Sequence, residues 1–174
     1  MTHHPFTLSL TTLALIASPV LAEPPDLQTP APVIYLSDNL DEVDRLGWCI
    51  DTQGRGFAEN LQAHSCKPQG GDVQFSLDTD TGQIRSVAFA GYCMEYVPEA
   101  YPVFALATCA QDTLHQRFGY DPATEAISPA DDLAQCVTVA AQSRQAGPFM
   151  SRTLLMAPCD DTDPILRRWT VLDG

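Results

Sequence analysis

The sequence has few basic residues. Nine Lys and Arg stand against 22 Asp and Glu, which gives a formal net charge of −13. A surface of this sign repels a phosphate backbone and anionic lipid headgroups. We therefore expect neither nucleic acid nor an anionic membrane as a partner.

Catalytic and metal-binding signatures are also absent from the sequence. No Gly-x-Ser-x-Gly, His-Glu-x-x-His or phosphate-loop pattern occurs. Beyond residue 22 only His64 and His115 remain as histidines, and they lie in different segments. The acidic run at Asp160, Asp161 and Asp163 lacks the Gly and the closing Glu of a calcium loop. The sequence predicts no enzyme, no cofactor and no metal site.

No hydrophobic run is long enough for a membrane anchor. The apolar stretch at residues 6–17 is too short to span a bilayer. It is followed by Val20, Leu21 and Ala22, which fit the small-residue rule for signal peptidase, and no cysteine follows the cut. Residues 1–22 are predicted to be a cleaved signal peptide, so the protein is expected to be secreted or periplasmic.

The chain lacks a long amphipathic stretch, so no helix is predicted. Residues 23–32 contain four prolines and are predicted to be an extended leader. From Val33 onward, short β-type runs alternate with turn residues every 8 to 12 positions or so. The sequence predicts one all-β domain over residues 33–174.

Cysteines and aromatic residues recur with a fixed period. The leading cysteines Cys49, Cys93 and Cys136 are 44 and 43 residues apart. Each is followed by a second cysteine and, nine or ten residues later, by an aromatic residue; these are Cys66 with Phe75, Cys109 with Phe118, and Cys159 with Trp169. Such self-similarity predicts three like units of about 43 residues, which we call the first, second and third repeat.

The repeat also favours one disulfide pattern. Six cysteines in an oxidising compartment allow 15 pairings. Only pairing within each unit treats the three copies alike, which predicts the bridges Cys49 to Cys66, Cys93 to Cys109 and Cys136 to Cys159.

A hairpin follows the second cysteine of the first and second repeats. Phe75 and Ile84 are nine residues apart, as are Phe118 and Ile127, with turn residues between them. The third repeat ends soon after Trp169 and has no resuming strand. The run Val33–Leu36 is expected to supply the missing strand from the other end and to close the sheet.

These features resemble the ricin B-type lectin family, whose fold is the β-trefoil. The resemblance covers about residues 33–174, although the Gln-x-Trp motif of the family is degenerate and occurs as Val73-Gln74-Phe75, Gln116-Arg117-Phe118 and Arg167-Arg168-Trp169. By position, the resemblance implies a sugar site made of Asp51, Gln62, His64 and Asp72. If Cys49 and Cys66 face each other across a hairpin, Asp51 lies opposite His64.

The other two repeats lack this set of residues. If the cysteines of these repeats also face each other, Glu95 faces Ala107 and Thr138 faces Ala157, and neither pair offers a ring to stack on a sugar. The sequence thus predicts at most one sugar site, in the first repeat.

Two functions remain open. The first is a secreted carbohydrate-binding module, with a galactose-type glycan as one option. The second is a trefoil that associates with another secreted protein without sugar, as an accessory subunit of a toxin or enzyme complex. An Asp beside a His on a hairpin is also explained by a plain cross-strand pair, so the residues alone do not choose between the two.

Overall fold

The structure is a computed structural model that describes Met1 and residues 23–174. The predicted signal peptide at residues 1–22 lies outside the described residues, apart from Met1. Within the described part of the chain, no helix has the length and apolar character needed to cross a membrane.

The described residues form fourteen β-strands, three 3-10 helices of one turn each and no α-helix, so the predicted all-β class is confirmed. The strands are β1 (Val33–Leu36), β2 (Trp48–Thr52), β3 (Leu61–Ser65), β4 (Phe75–Asp78), β5 (Gln83–Ser86), β6 (Tyr92–Tyr96), β7 (Phe104–Thr108), β8 (Phe118–Asp121), β9 (Ala126–Pro129), β10 (Gln135–Val139), β11 (Arg144–Ala146), β12 (Phe149–Arg152), β13 (Leu154–Pro158) and β14 (Trp169–Leu172). The 3-10 helices are Gly71–Val73, Leu114–Gln116 and Pro164–Leu166.

The strands pair in the same order in each part of the chain. The cysteine-linked pairs β2 with β3, β6 with β7, and β10 with β13 are antiparallel. Each is followed by a 3-10 helix and then by the first strand of a second pair, β4 with β5, β8 with β9, and β14 with β1. This order is compatible with the three predicted units.

The last of these pairs joins the two ends of the domain. β1 lies antiparallel to β14, with Val33 opposite Leu172 and Leu36 opposite Trp169. The strand that the third repeat lacks is therefore supplied by the start of the domain, as predicted. β1 also pairs with β2, so it lies inside a six-stranded sheet that ends at β14.

The core is built around aromatic residues from all three repeats. Trp48, Phe75, Phe118 and Trp169 are buried, and Phe104 joins them. The buried indole N–H groups donate to backbone carbonyls, since a buried polar group needs a partner: Trp48 to Asn39 at 2.8 Å and Trp169 to Val137 at 2.8 Å. Tyr92 packs at the edge of this core and is half-buried.

Three disulfides link the predicted partners within each repeat: Cys49 to Cys66, Cys93 to Cys109, and Cys136 to Cys159. The second cysteine of each pair also donates its backbone N–H to the residue two before the first cysteine. The acceptors are the carbonyl oxygens of Gly47, Gly91 and Ala134, at 3.1, 2.9 and 2.8 Å. Each second cysteine therefore lies level with the start of its partner strand.

That placement corrects the predicted register. Asp51 lies opposite Gln62, and His64 lies opposite Cys49, so the expected pairing of Asp51 with His64 is wrong by two residues. Glu95 likewise faces Ala105 instead of Ala107, and Thr138 faces Leu155 instead of Ala157. The cause is the same in each repeat. The disulfide joins the two strands diagonally, because the second cysteine lies beyond the end of its strand.

Residues 23–32 form neither strand nor helix, and they pack against the first repeat. Asp26 donates its backbone N–H to the Arg45 carbonyl at 2.7 Å, and the buried Thr29 hydroxyl donates to the Lys67 carbonyl at 2.9 Å. Gly47 adopts a φ of 79°, and a β-carbon there would meet Pro25 at 2.7 Å. The leader therefore requires glycine at position 47.

Candidate functional site

The predicted site residues of the first repeat converge on the hairpin of β2 and β3. Asp51 on β2 faces Gln62 on β3, and His64 lies two residues further along the same face. Asp72 approaches from the 3-10 helix Gly71–Val73. The fold thus brings all four residues together, although the pairing differs from the expected one.

Asp51 is buried beneath its neighbours. The residue is 1% exposed, and its Oδ1 atom has no hydrogen-bond partner within the described residues. Burial disfavours the charged carboxylate and raises the pKa of Asp51 to about 7, although the Lys67 ammonium works in the opposite direction. Near neutral pH this carboxyl group therefore exists in both protonation states.

Lys67 holds the two acidic residues together. Its ammonium group donates to Asp51 Oδ2 at 3.2 Å and to Asp72 Oδ1 at 2.7 Å. It is the single lysine of the sequence and follows directly after Cys66. The resemblance did not assign it a role. In the sequence, only its position beside the second cysteine marks Lys67. That position does not predict which groups the ammonium of a flexible side chain contacts.

His64 is also buried, and its Nδ1 lies 3.0 Å from the Ser65 carbonyl oxygen. A carbonyl oxygen only accepts, so this contact places the proton on Nδ1 and leaves Nε2 as an acceptor. Burial lowers the pKa of His64, which favours the neutral ring. The 3.6 Å contact between His64 Nδ1 and Asp51 Oδ2 is therefore not an ion pair at neutral pH.

Gln62 is held from the third repeat. The Arg144 guanidinium donates to its Oε1 at 3.2 Å, and the side chain is largely buried. Arg144 belongs to β11, which forms a hairpin with β12, and β12 in turn pairs with β3. A strand pair of the third repeat thus extends the sheet of the first.

The same hairpin brings an aromatic ring to the site. Phe149, the first residue of β12, packs edge-on against His64, with ring centroids 5.6 Å apart. The sequence carried a signal for this hairpin, because the third cysteine pair is separated by 23 residues and the others by 17 and 16. The spacing shows that residues were inserted, but not that they pair with β3.

These residues surround a cavity of about 340 Å³, which we call the first-repeat cavity. Its lining consists of Gly54, Arg55, Gln62, His64, Lys67, Ala146, Gly147, Pro148 and Phe149. Of the four predicted residues, Gln62 and His64 line the cavity, whereas Asp51 and Asp72 lie behind Lys67. The wall offers an amide, an imidazole acceptor, an aromatic ring and an ammonium group.

The equivalent positions of the other repeats are occupied by internal contacts. Glu95 accepts a hydrogen bond from the Gln116 amide at 2.7 Å, and the Thr138 hydroxyl donates to the Leu166 carbonyl at 2.8 Å. Within residues 23–174, no group of three or more His, Cys, Asp or Glu is arranged to hold a metal ion.

Comparison with known proteins decides the family. The family model of the ricin-type beta-trefoil lectin domain matches residues 40–168. The chain belongs to this family. No curated protein shows significant sequence similarity to the chain.

Two solved structures are similar to this chain in fold. The beta-trefoil lectin of the Vibrio vulnificus hemolysin/cytolysin, determined with N-acetyl-D-lactosamine bound, is similar with a TM-score of 0.55 and 16% identity, over 82% of this chain and 93% of that chain. Cytolethal distending toxin from Actinobacillus actinomycetemcomitans is similar with a TM-score of 0.55 and 17% identity, over 80% of this chain and 88% of that chain. At these identities the likeness establishes the β-trefoil fold and leaves the ligand open.

Proposed function

We propose that this protein is a secreted carbohydrate-binding module with one sugar site, the first-repeat cavity. The observation that carries the proposal is the convergence of the Gln62 amide, the His64 imidazole and the Phe149 ring on one cavity. Membership of a lectin domain family supports it, and so does the sugar bound to the Vibrio vulnificus relative.

The three groups have complementary chemistry for a sugar. An aromatic face covers the apolar side of a pyranose ring, and an amide donates and accepts hydrogen bonds with vicinal hydroxyls. The neutral His64 ring adds an acceptor. Asp51 is too deeply buried to reach a ligand directly, so we assign Asp51 and Asp72 the role of positioning Lys67.

A glycan array followed by calorimetry tests the proposal, with Phe149→Ala as the site variant. Because Phe149 is half-buried and supplies the stacking ring, its loss should weaken binding roughly tenfold. Phe57→Ala is the matched control, since Phe57 is a half-exposed ring that lies outside the cavity lining. Binding that is unchanged in Phe149→Ala would place the sugar elsewhere on the molecule.

A second function is favoured by one observation: Lys67 covers the buried Asp51, the carboxylate that the resemblance assigned to the sugar. A trefoil altered in this way suits a sugar-independent role as an accessory subunit that binds another secreted protein. The absence of binding to every glycan on the array would favour this alternative.

Secretion belongs to the same proposal. Three disulfides are typical of proteins that fold in an oxidising compartment. Mass spectrometry of the mature protein should find Glu23 as its first residue. A mature protein that retains residues 1–22 would contradict the predicted cleavage.

A further inference from the structure

The first-repeat cavity is basic on an acidic protein. Two of its nine lining residues, Arg55 and Lys67, are cationic and none is acidic. The whole sequence has only nine Lys and Arg against 22 Asp and Glu. The local charge of the cavity wall is therefore opposite in sign to that of the molecule.

Lys67 retains the capacity to bind an anion. An ammonium group has three N–H donors, and two of them are used by Asp51 Oδ2 and Asp72 Oδ1. The residue lines the cavity, and its side chain is 18% exposed. The third donor is thus available to a ligand, held in place by the two carboxylates behind it.

Arg55 has no internal role that competes with ligand binding. It lies on the loop between β2 and β3 and is exposed. Within residues 23–174 its guanidinium makes neither a hydrogen bond nor an ion pair. A guanidinium presents a planar fork of donors that matches a carboxylate or a sulfate.

The acidic groups nearest to these cations must also be weighed. Asp51 and Asp72 face Lys67 from behind and reduce its net field. Because the pKa of Asp51 is raised to about 7, part of that countercharge is neutralised by a proton near neutral pH. The remaining surface acidity acts over longer distances and is screened within about 8 Å at physiological salt. Direct contact with Arg55 and Lys67 therefore dominates for a ligand inside the cavity.

We propose that the first-repeat cavity selects an acidic sugar, one that carries a carboxylate or a sulfate, and that Arg55 and Lys67 bind its anionic group while Phe149 stacks on its ring. This inference rests on the proposed carbohydrate-binding function and names its ligand class. Charge-assisted hydrogen bonds are the stronger kind, so the anionic group should add to affinity as well as to selectivity.

Matched sugars test the inference. We would titrate the full mature chain with the methyl glycosides of galactose, galacturonic acid and galactose 6-sulfate at pH 7 and 0.15 M salt. The two acidic sugars should bind roughly tenfold more tightly than galactose. Tighter or equal binding of galactose would overturn the inference and leave the proposed function intact. If no glycan on the array binds, the proposed function fails first.

Two variants identify the cations. Arg55→Gln should abolish most of the preference for acidic sugars, whereas Arg117→Gln, an exposed arginine outside this cavity, should keep it. Lys67→Gln removes the ammonium group from the cavity wall and should also lower the preference for acidic sugars. A preference that survives in Arg55→Gln would overturn the assignment of Arg55.

Inorganic sulfate provides the last arm of the experiment. If the sugar ring contributes through Phe149, sulfate alone should not displace galactose 6-sulfate at equal concentration. Displacement at equal concentration would show a site for free anions and would overturn the proposal of an acidic sugar.

Discussion

At the scale of single residues, the site contains a carboxyl group that is partly protonated near neutral pH. Asp51 is almost fully buried, and burial raises its pKa to about 7. A raised pKa means that the folded state binds more protons than the unfolded state between about pH 4 and pH 7. Stability contributed by this group is present below pH 4 and is lost as the pH rises toward 7.

Asp51→Asn should remove this pH dependence. The free energy of unfolding of the wild-type protein should fall relative to that of the variant between pH 4 and pH 8, by an amount on the order of a few kcal/mol. His64, whose pKa is lowered by burial, has the opposite slope below about pH 6.5, so the fall between pH 6.5 and pH 8 is the part that belongs to Asp51. Urea unfolding at several pH values measures the difference, and parallel curves would contradict it.

Glu42 is a second buried carboxylate, and it ties the loop before β2 to β3. Its Oε1 accepts from the Ser65 hydroxyl at 2.7 Å, and its Oε2 accepts from the backbone N–H groups of Asp44 at 3.0 Å and Leu46 at 2.7 Å. The residue is 3% exposed. Removal of this side chain leaves the hydroxyl of the buried Ser65 and the backbone N–H of the buried Leu46 without their acceptor, together with the N–H of the exposed Asp44.

Glu42→Ala should therefore lower the free energy of unfolding by about 2–4 kcal/mol. Glu59→Ala is the matched control, because Glu59 is exposed; it should change stability by less than about 0.5 kcal/mol. Denaturant unfolding measures both variants. Equal effects would show that the buried contacts of Glu42 contribute nothing beyond those of a surface side chain.

At the scale of elements, the hairpin of β11 and β12 pairs the third repeat with β3 of the first. Arg152 on β12 holds this hairpin in place. Its side chain is 2% exposed, and its guanidinium lies 4.7 Å from the centre of the Trp48 ring. The guanidinium also donates to the Ala140 carbonyl and pairs with Asp41. A lysine in its place keeps the charge but loses the planar fork that satisfies these contacts together.

Arg152→Lys should destabilise the protein by about 1–3 kcal/mol, and it should also weaken sugar binding, because Phe149 lies on the same strand. Arg117→Lys, on an exposed arginine, should do neither. Thermal unfolding and calorimetry with the best array ligand measure the two effects. Full binding in a destabilised Arg152→Lys would show that β12 positions Phe149 independently of Arg152.

Some of these elements could be predicted from the sequence and others could not. The hairpins after Cys66 and Cys109 and the closure by Val33–Leu36 could be predicted, because local turn residues and the repeat period determine them. The register could not be derived from cysteine spacing, since a diagonal bridge and a directly opposed one give the same spacing. The contacts of Phe149 and Lys67 with the site depend on long-range pairing of β12 and on a turn after Cys66, which no local pattern encodes.

At the scale of the whole molecule, the three disulfide bridges differ in their exposure to solvent. Cys49 and Cys66 are both 0% exposed, and Leu27 of the leader packs against the cluster that contains them. Cys109 and Cys159 are half-buried, although their partners are buried. Related positions in the three repeats thus have different solvent access, and the leader at residues 23–32 accounts for part of the difference.

Reduction should follow that order. A reductant must reach a sulfur atom to open a bridge, so increasing dithiothreitol should open Cys93 to Cys109 and Cys136 to Cys159 before Cys49 to Cys66. Stepwise alkylation and peptide mass spectrometry measure the order. Circular dichroism at each step measures the loss of structure, since each native disulfide contributes about 2–5 kcal/mol. Leu27→Ala should advance the opening of the first bridge and leave the other two unchanged. Early labelling of Cys49 and Cys66 in the wild-type protein would show that the leader does not shield them in solution.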